Sequence, residues 1–173
     1  LRLLHGFGCD MGQPTNNGAT PAYIAAENGH EGCLRLLHGF GCNMCKPNNG
    51  GATPAWIAAQ NGNEGCLRLL HGFGCDMGKP DKDGQTPAFT AAENGNEGCL
   101  RLLHGFGCDM GQPEKMDGAT PAHIAAANGQ EGCLRLLHGF GCDMGQAMKD
   151  DTTPAYIASE EGHEGCLRLL HGF

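Results

Sequence analysis

Apolar residues return along this chain in two alternating blocks. The shorter runs Pro-Ala-aromatic-Ile-Ala-Ala, as at Pro21–Ala26, with a threonine in front. The longer runs Gly-Cys-Leu-Arg-Leu-Leu-His-Gly-Phe and occurs five times, at 32–40, 65–73, 98–106, 132–140 and 165–173. In this block Leu34, Leu36 and Leu37 make an apolar stripe with Cys33 beside them. Glu31 and Arg35 form an exposed pair four residues apart. Thr20 predicts a helix cap, Pro21 the first helical position and Gly29 a left-handed stop. A second helix is predicted at about Glu31–His38, ended by Gly39 and Gly41. The Gly/Asn/Asp/Pro-rich stretch 42–52 reads as a turn or short hairpin arm.

The copies fall 33, 33, 34 and 33 residues apart, and the Thr-Pro-Ala landmark keeps the same step. A fixed period of this length means stacked units, each leaning on its neighbours. Helices of about two turns do not persist alone in water, so burial between repeats must hold them. The fold class is therefore all-α, a solenoid of helix pairs with short arms. A single array covers 1–173: a partial repeat at 1–19, then helix pairs at about 20–41, 53–74, 86–107, 120–141 and 153–173. Because the chain opens and closes inside a repeat, it reads as a piece of a longer array.

The Thr-Pro helix, the Ala25-Ala26 pair, the Asn28-Gly29-His30 break, the Leu-rich second helix and the Gly74-Cys75-Asp76 exit together resemble the ankyrin repeat. The resemblance spans the whole chain and departs from the family in two places, the Thr-Pro-Leu-His motif and the third leucine of the second helix, where His38, His71, His104 and His138 stand. Where the family prefers Thr-Pro-Leu-His, this chain has Ala22, Ala55, Ala88, Ala122 and Ala155, followed by Tyr23, Trp56, Phe89, His123 and Tyr156. The histidine-to-threonine hydrogen bond of the family is thus in question in four repeats of five. The aromatic series admits two readings, inter-repeat core or interface hot spots, and core packing is favoured. His38 and Gly39 near the end of the second helix predict modest stability per repeat.

The resemblance implies a non-enzymatic, protein-binding scaffold that uses the concave face formed by arms and first helices. Candidate contacts on the arms are Asn16, Asn17, Asn49, Lys82, Asp83, Gln85, Lys115, Met116, Asp117, Lys149 and Asp150. On the first-helix ends they are Glu27, Asn28, Gln60, Asn61, Glu93, Asn94, Asn128, Glu160 and Glu161. These positions vary between copies while the second helix hardly changes. Selected binding and neutral drift both produce that pattern. The fourth arm, 112–119, has one residue more than the others, a turn insertion or a bulge aimed at a ligand.

Net charge is −8, from 11 basic and 19 acidic residues. That balance disfavours nucleic acid, which wants a basic stripe. All six arginines share one register on the second helix, whereas the arms and first helices hold ten acids, Glu114 among them, against five lysines. The groove is expected to be acidic, most of all near the last repeat, and to attract a basic partner; a solvated acidic face without a partner is the alternative. No apolar run reaches the length of a membrane span, and no secretory signal is present in the given sequence.

Eleven cysteines fall in two columns of five, with Cys45 alone. Equivalent cysteines in neighbouring repeats stand too far apart to pair, which favours thiols throughout and an intracellular, cytoplasmic setting. His38, Cys42 and Cys45 have ligand types suited to zinc, but they lack a fourth partner. Cys42 is expected to be buried. The histidine column that includes His38, His71, His104 and His138 is expected to make helix-end hydrogen bonds. Repetition argues against catalysis, which needs one asymmetric constellation, and no cofactor is implied. Two alternatives to a scaffold are end-to-end self-association through uncapped leucine-rich ends, and a spacer within a larger protein.

Overall fold

The computed structural model describes residues 10–173. The readings that fall on Leu1–Leu4, Arg2, His5 and Cys9 lie outside them. Among the described residues ten helices follow in pairs: α1 (Pro21–Glu27) with α2 (Glu31–Gly39), α3 (Pro54–Gln60) with α4 (Glu64–Gly72), α5 (Pro87–Glu93) with α6 (Glu97–Gly105), α7 (Pro121–Ala127) with α8 (Glu131–Gly139), and α9 (Pro154–Glu160) with α10 (Glu164–Gly172). The odd-numbered helices pack on one another in a row, and the even-numbered helices form a second row beside it. The described residues contain no strand.

Each first helix starts where the sequence places its cap. The hydroxyls of Thr20, Thr53 and Thr86 accept the amide protons of Tyr23, Trp56 and Phe89 at 3.1 Å, and Thr153 accepts that of Tyr156 at 3.3 Å. Gly29, Gly62, Gly95, Gly129 and Gly162 follow with φ near +70°, which reverses the chain into the second helix.

Small residues on the first helices allow close stacking. Ala26, Ala58, Ala59, Ala91, Ala92, Ala125, Ala126 and Ala158 are fully buried. From the second helices Leu34, Leu67, Leu70, Leu100, Leu103 and Leu134 fill the space between rows, each contributing on the order of 2 kcal/mol by burial. Leu36 and its equivalents are only half-buried. A methionine column, Met11, Met44, Met77 and Met110, is buried in the same core. Flexible thioethers suit irregular gaps.

Neighbouring repeats also exchange polar contacts. A two-turn helix leaves its last carbonyls without partners, and the next repeat supplies them. Asn63 Nδ2 donates to the Ala26 and Glu27 carbonyls, both at 2.9 Å, and Asn96 Nδ2 to those of Ala59 and Gln60 at 3.0 and 2.7 Å. Gln130 Nε2 reaches the Glu93 carbonyl at 3.4 Å, and His163 Nε2 that of Ala127 at 3.0 Å.

Three expectations need correction. First, not every cysteine is a thiol: Cys45 is disulfide-bonded to Cys75. The distance argument holds for equivalent cysteines, but Cys45 occupies a different register and reaches the next column from there. The inventory of thiols therefore no longer argues for a reducing compartment. It also removes Cys45 from the His38–Cys42–Cys45 set as a thiolate ligand, and Cys42 is half-buried. Second, the histidine column packs against rings. His38 stacks on Phe73, His71 on Phe106, His104 on Phe140 and His138 on Phe173, with centroids 3.9–4.0 Å apart and planes within 8°. The phenylalanine of the following repeat covers one face of each imidazole. Third, the aromatic series is not uniformly core. Tyr23, Phe89 and His123 are buried and Trp56 is half-buried, but Tyr156 is exposed.

Candidate functional site

The arms are bound to one another edge to edge. Asn49 N–H donates to the Asn17 carbonyl, Lys82 N–H to Gly50, Lys115 N–H to Asp83 and Lys149 N–H to Asp117, each at 2.9 Å. The first-helix row lies against them, since Trp56 Nε1 on α3 donates to the Gln85 carbonyl of arm 3 (81–85) at 3.0 Å. This bond joins the N-terminal turn of a first helix to the arm of the following repeat.

Each arm closes on an internal acceptor. Asn48 Oδ1 takes the amides of Gly50 and Ala52, and Asp81 Oδ1 those of Asp83 and Gln85. Arm 4 closes from Glu114 to Ala119, one residue more than the 48–52 and 81–85 arms. There the acceptor is a glutamate, whose extra carbon spans the longer turn. Glu114 accepts from Met116 and Asp117 at 2.6 Å, Gly118 at 2.8 Å and Ala119 at 3.2 Å. Burial alone would raise this carboxyl; the four amide donors outweigh it and hold it below its usual range. Glu114 therefore belongs to the turn and not to the acidic surface. The insertion projects Met116, 68% exposed.

Several candidates have structural partners. Asn28, Asn94 and Asn128 donate to the Ile24, Thr90 and Ile124 carbonyls of their own helices, while Asn61 reaches back to Glu27 O at 2.9 Å. Asn49 Nδ2 bonds Asn16 O at 3.1 Å. Lys115 Nζ donates to Lys82 O at 3.0 Å, and Lys149 Nζ to the carbonyls of Lys115 and Met116, which pins both ammonium groups along the arm edge. Glu27, Gln60 and Glu93 are half-buried, and burial raises the Glu93 carboxyl. Asn16, Asn17, Lys82, Asp83, Asp117, Asp150, Glu160 and Glu161 are exposed.

The opposite row is electrically neutral along its length. Arg35, Arg68, Arg101, Arg135 and Arg168 each lie 2.8–3.9 Å from the glutamate four residues earlier. The excess negative charge is left to the arms, the first helices and the exit loops, where Asp76, Asp109 and Asp143 are also exposed.

The family model for ankyrin repeats, in three copies, matches residues 1–81, 56–144 and 89–172. The chain belongs to the ankyrin repeat family. Ankyrin repeats serve generally as protein–protein interaction modules, and the stacked helix pairs described above are their fold. Comparison with curated proteins finds no match. In this ankyrin array one position keeps the family histidine. Thr120 N–H donates to His123 Nδ1 at 3.1 Å and the Thr120 hydroxyl lies 2.8 Å from the same nitrogen. Because an amide can only donate, Nδ1 is the acceptor. Nε2 then carries the proton towards Thr152 O at 3.3 Å. No helix among the described residues is long and apolar enough to cross a membrane.

Proposed function

We propose that this chain is a non-enzymatic scaffold that binds a basic segment of a protein partner along the concave face of its arms and first-helix ends. The carrying observation is the partition of charge. Every arginine from Arg35 to Arg168 is paired on the second-helix row, while Asp83, Asp117, Asp150, Glu160 and Glu161 stand exposed towards the last repeats. Such a surface steers cations more strongly at low salt. Met116 supplies an apolar contact in the middle of these carboxylates, on a turn already ordered before binding.

Fluorescence anisotropy against labelled Lys/Arg-rich, uncharged and Glu-rich peptides tests this reading. The basic peptide alone should bind, more weakly as salt rises, and the combined variant Asp83→Lys, Asp117→Lys, Glu160→Lys should lose it. Salt-independent binding, or binding unchanged in that variant, would remove the acidic groove.

A second reading, end-to-end self-association, is supported by the two end faces. Ile24 is 41% exposed where Ile57 is 6%, and Tyr156 is 61% exposed where Phe89 is 4%. Sedimentation velocity across a concentration series separates the readings, because only self-association raises the mass.

A further inference from the structure

Cys45 stands at the register that Gly12, Gly78, Gly111 and Gly145 hold in the other copies. Its bond to Cys75 joins Cα atoms 5.3 Å apart across 30 residues of sequence. The closed loop contains arm 2 (48–52), α3 and α4, so the bond ties the exit of one helix pair to the exit of the next. Otherwise arm 2 meets each neighbouring arm through a single backbone hydrogen bond, Asn49 N–H to Asn17 O and Lys82 N–H to Gly50 O, with Asn49 Nδ2 to Asn16 O beside the first. The half-cystines differ in access: Cys75 is buried, while Cys45 is half-buried and lies beside exposed Lys46.

We propose that the Cys45–Cys75 bond is a redox-controlled clasp, opened by a dithiol reductant from the Cys45 side, that sets how readily the repeat between the two cysteines unfolds locally. A thiolate of the dithiol attacks the Cys45 sulfur, forms a mixed disulfide and releases Cys75 as a thiolate, which takes up a proton. The second thiolate of the dithiol then displaces the Cys45 sulfur, which is protonated in turn. Two electrons pass to the cystine, and the reductant leaves as its own disulfide. Internal exchange does not compete. Burial, with a smaller effect of Asp76, pushes the Cys108 thiol up to about 11, and burial with Asp10 moves Cys42 in the same direction, so neither supplies much thiolate. The clasp acts on the stability of one repeat and does not depend on the groove reading.

Hydrogen exchange by mass spectrometry on the whole chain, air-oxidised and after dithiothreitol, tests the clasp. Reduction should speed exchange across arm 2, α3 and α4 on the order of tenfold or more and leave α7 to α10 unchanged. Cys45→Ser and Cys75→Ala should each match the reduced wild type whether or not dithiothreitol is present. Equal rates in the two states would overturn the proposal, as would a uniform acceleration along the array. Alkylation of both Cys45 and Cys75 in the oxidised protein would also overturn it.

Discussion

The carboxylate of Glu31 occupies the space that a β-carbon on Gly65 would need, closer than 3.0 Å. The same relation joins Glu64 to Gly98, Glu97 to Gly132 and Glu131 to Gly165. The second residue of each later second helix is thus a floor beneath the glutamate of the preceding repeat, whose other oxygen pairs with arginine one turn on. Two effects compete when that floor is filled. Alanine gains about 1 kcal/mol of helix propensity over glycine, whereas the exposed ion pair is worth roughly 0.3–0.5 kcal/mol. The obstructing atoms are the far end of a flexible side chain. Gly98→Ala is therefore expected to stabilise the array by about 0.5 kcal/mol in urea unfolding, with Glu64 swung away from Arg68.

Gly78 stands where Cys45 does one repeat earlier. A β-carbon there would lie 4.0 Å from Cys108 Cβ and 3.9 Å from its sulfur. Disulfides span about 3.5–4.5 Å between β-carbons. Gly78→Cys should therefore crosslink to Cys108 on air oxidation and add about 2–4 kcal/mol of stability. Gly111→Cys should do so poorly, since only Asp109 Oδ1 falls within 4 Å of its β-carbon. Intact-mass measurement of the loss of two hydrogens reports both outcomes.

Glu114 is 8% exposed and holds four amides. Glu114→Ala strands them and should cost about 2 kcal/mol, whereas a surface acid such as Asp117→Ala should change stability little. The pH dependence has a definite sign. The folded carboxyl is held below its usual 4.5, so its contribution is full above that value and fades as pH falls through the depressed one. Urea midpoints below pH 5 should drop less steeply in the alanine variant than in the wild type.

His123 is buried among Thr120, the Thr152 carbonyl, the Gln146 backbone and Asp150. Desolvation outweighs those partners and lowers its pKa from the usual 6.5. The neutral ring is what folds. Stability should be complete above about pH 6.5 and decline as pH drops below it, because the unfolded chain takes up the proton first. His123→Phe, which copies the third repeat, should lose this component. Comparison of thermal midpoints at pH 5.5 and 7.5 checks it.

The helix pairs were legible because the signals are local. Thr20-Pro21 carries its own cap, Gly29 its own reversal, and Leu34 with Leu37 its own face. The disulfide was not legible. Column-to-column distance excludes pairs of equivalent cysteines, but nothing in the spacing shows that Cys45 reaches across to Cys75. The candidate surface was partly legible. Its acidic tips follow from sequence, yet Glu114 and Asp81 look like surface acids until their turns are seen to need acceptors.

By itself the sequence determined the period, the two helices in each unit and the family, because capping, turns and amphipathic spacing act within a few residues. The tertiary structure alone decided what each repeat lends the next. Asn63 serves carbonyls of α1, Phe73 takes the ring of His38, and Cys75 binds Cys45. These partners lie 30 to 37 residues apart, and only stacking brings them within bonding distance.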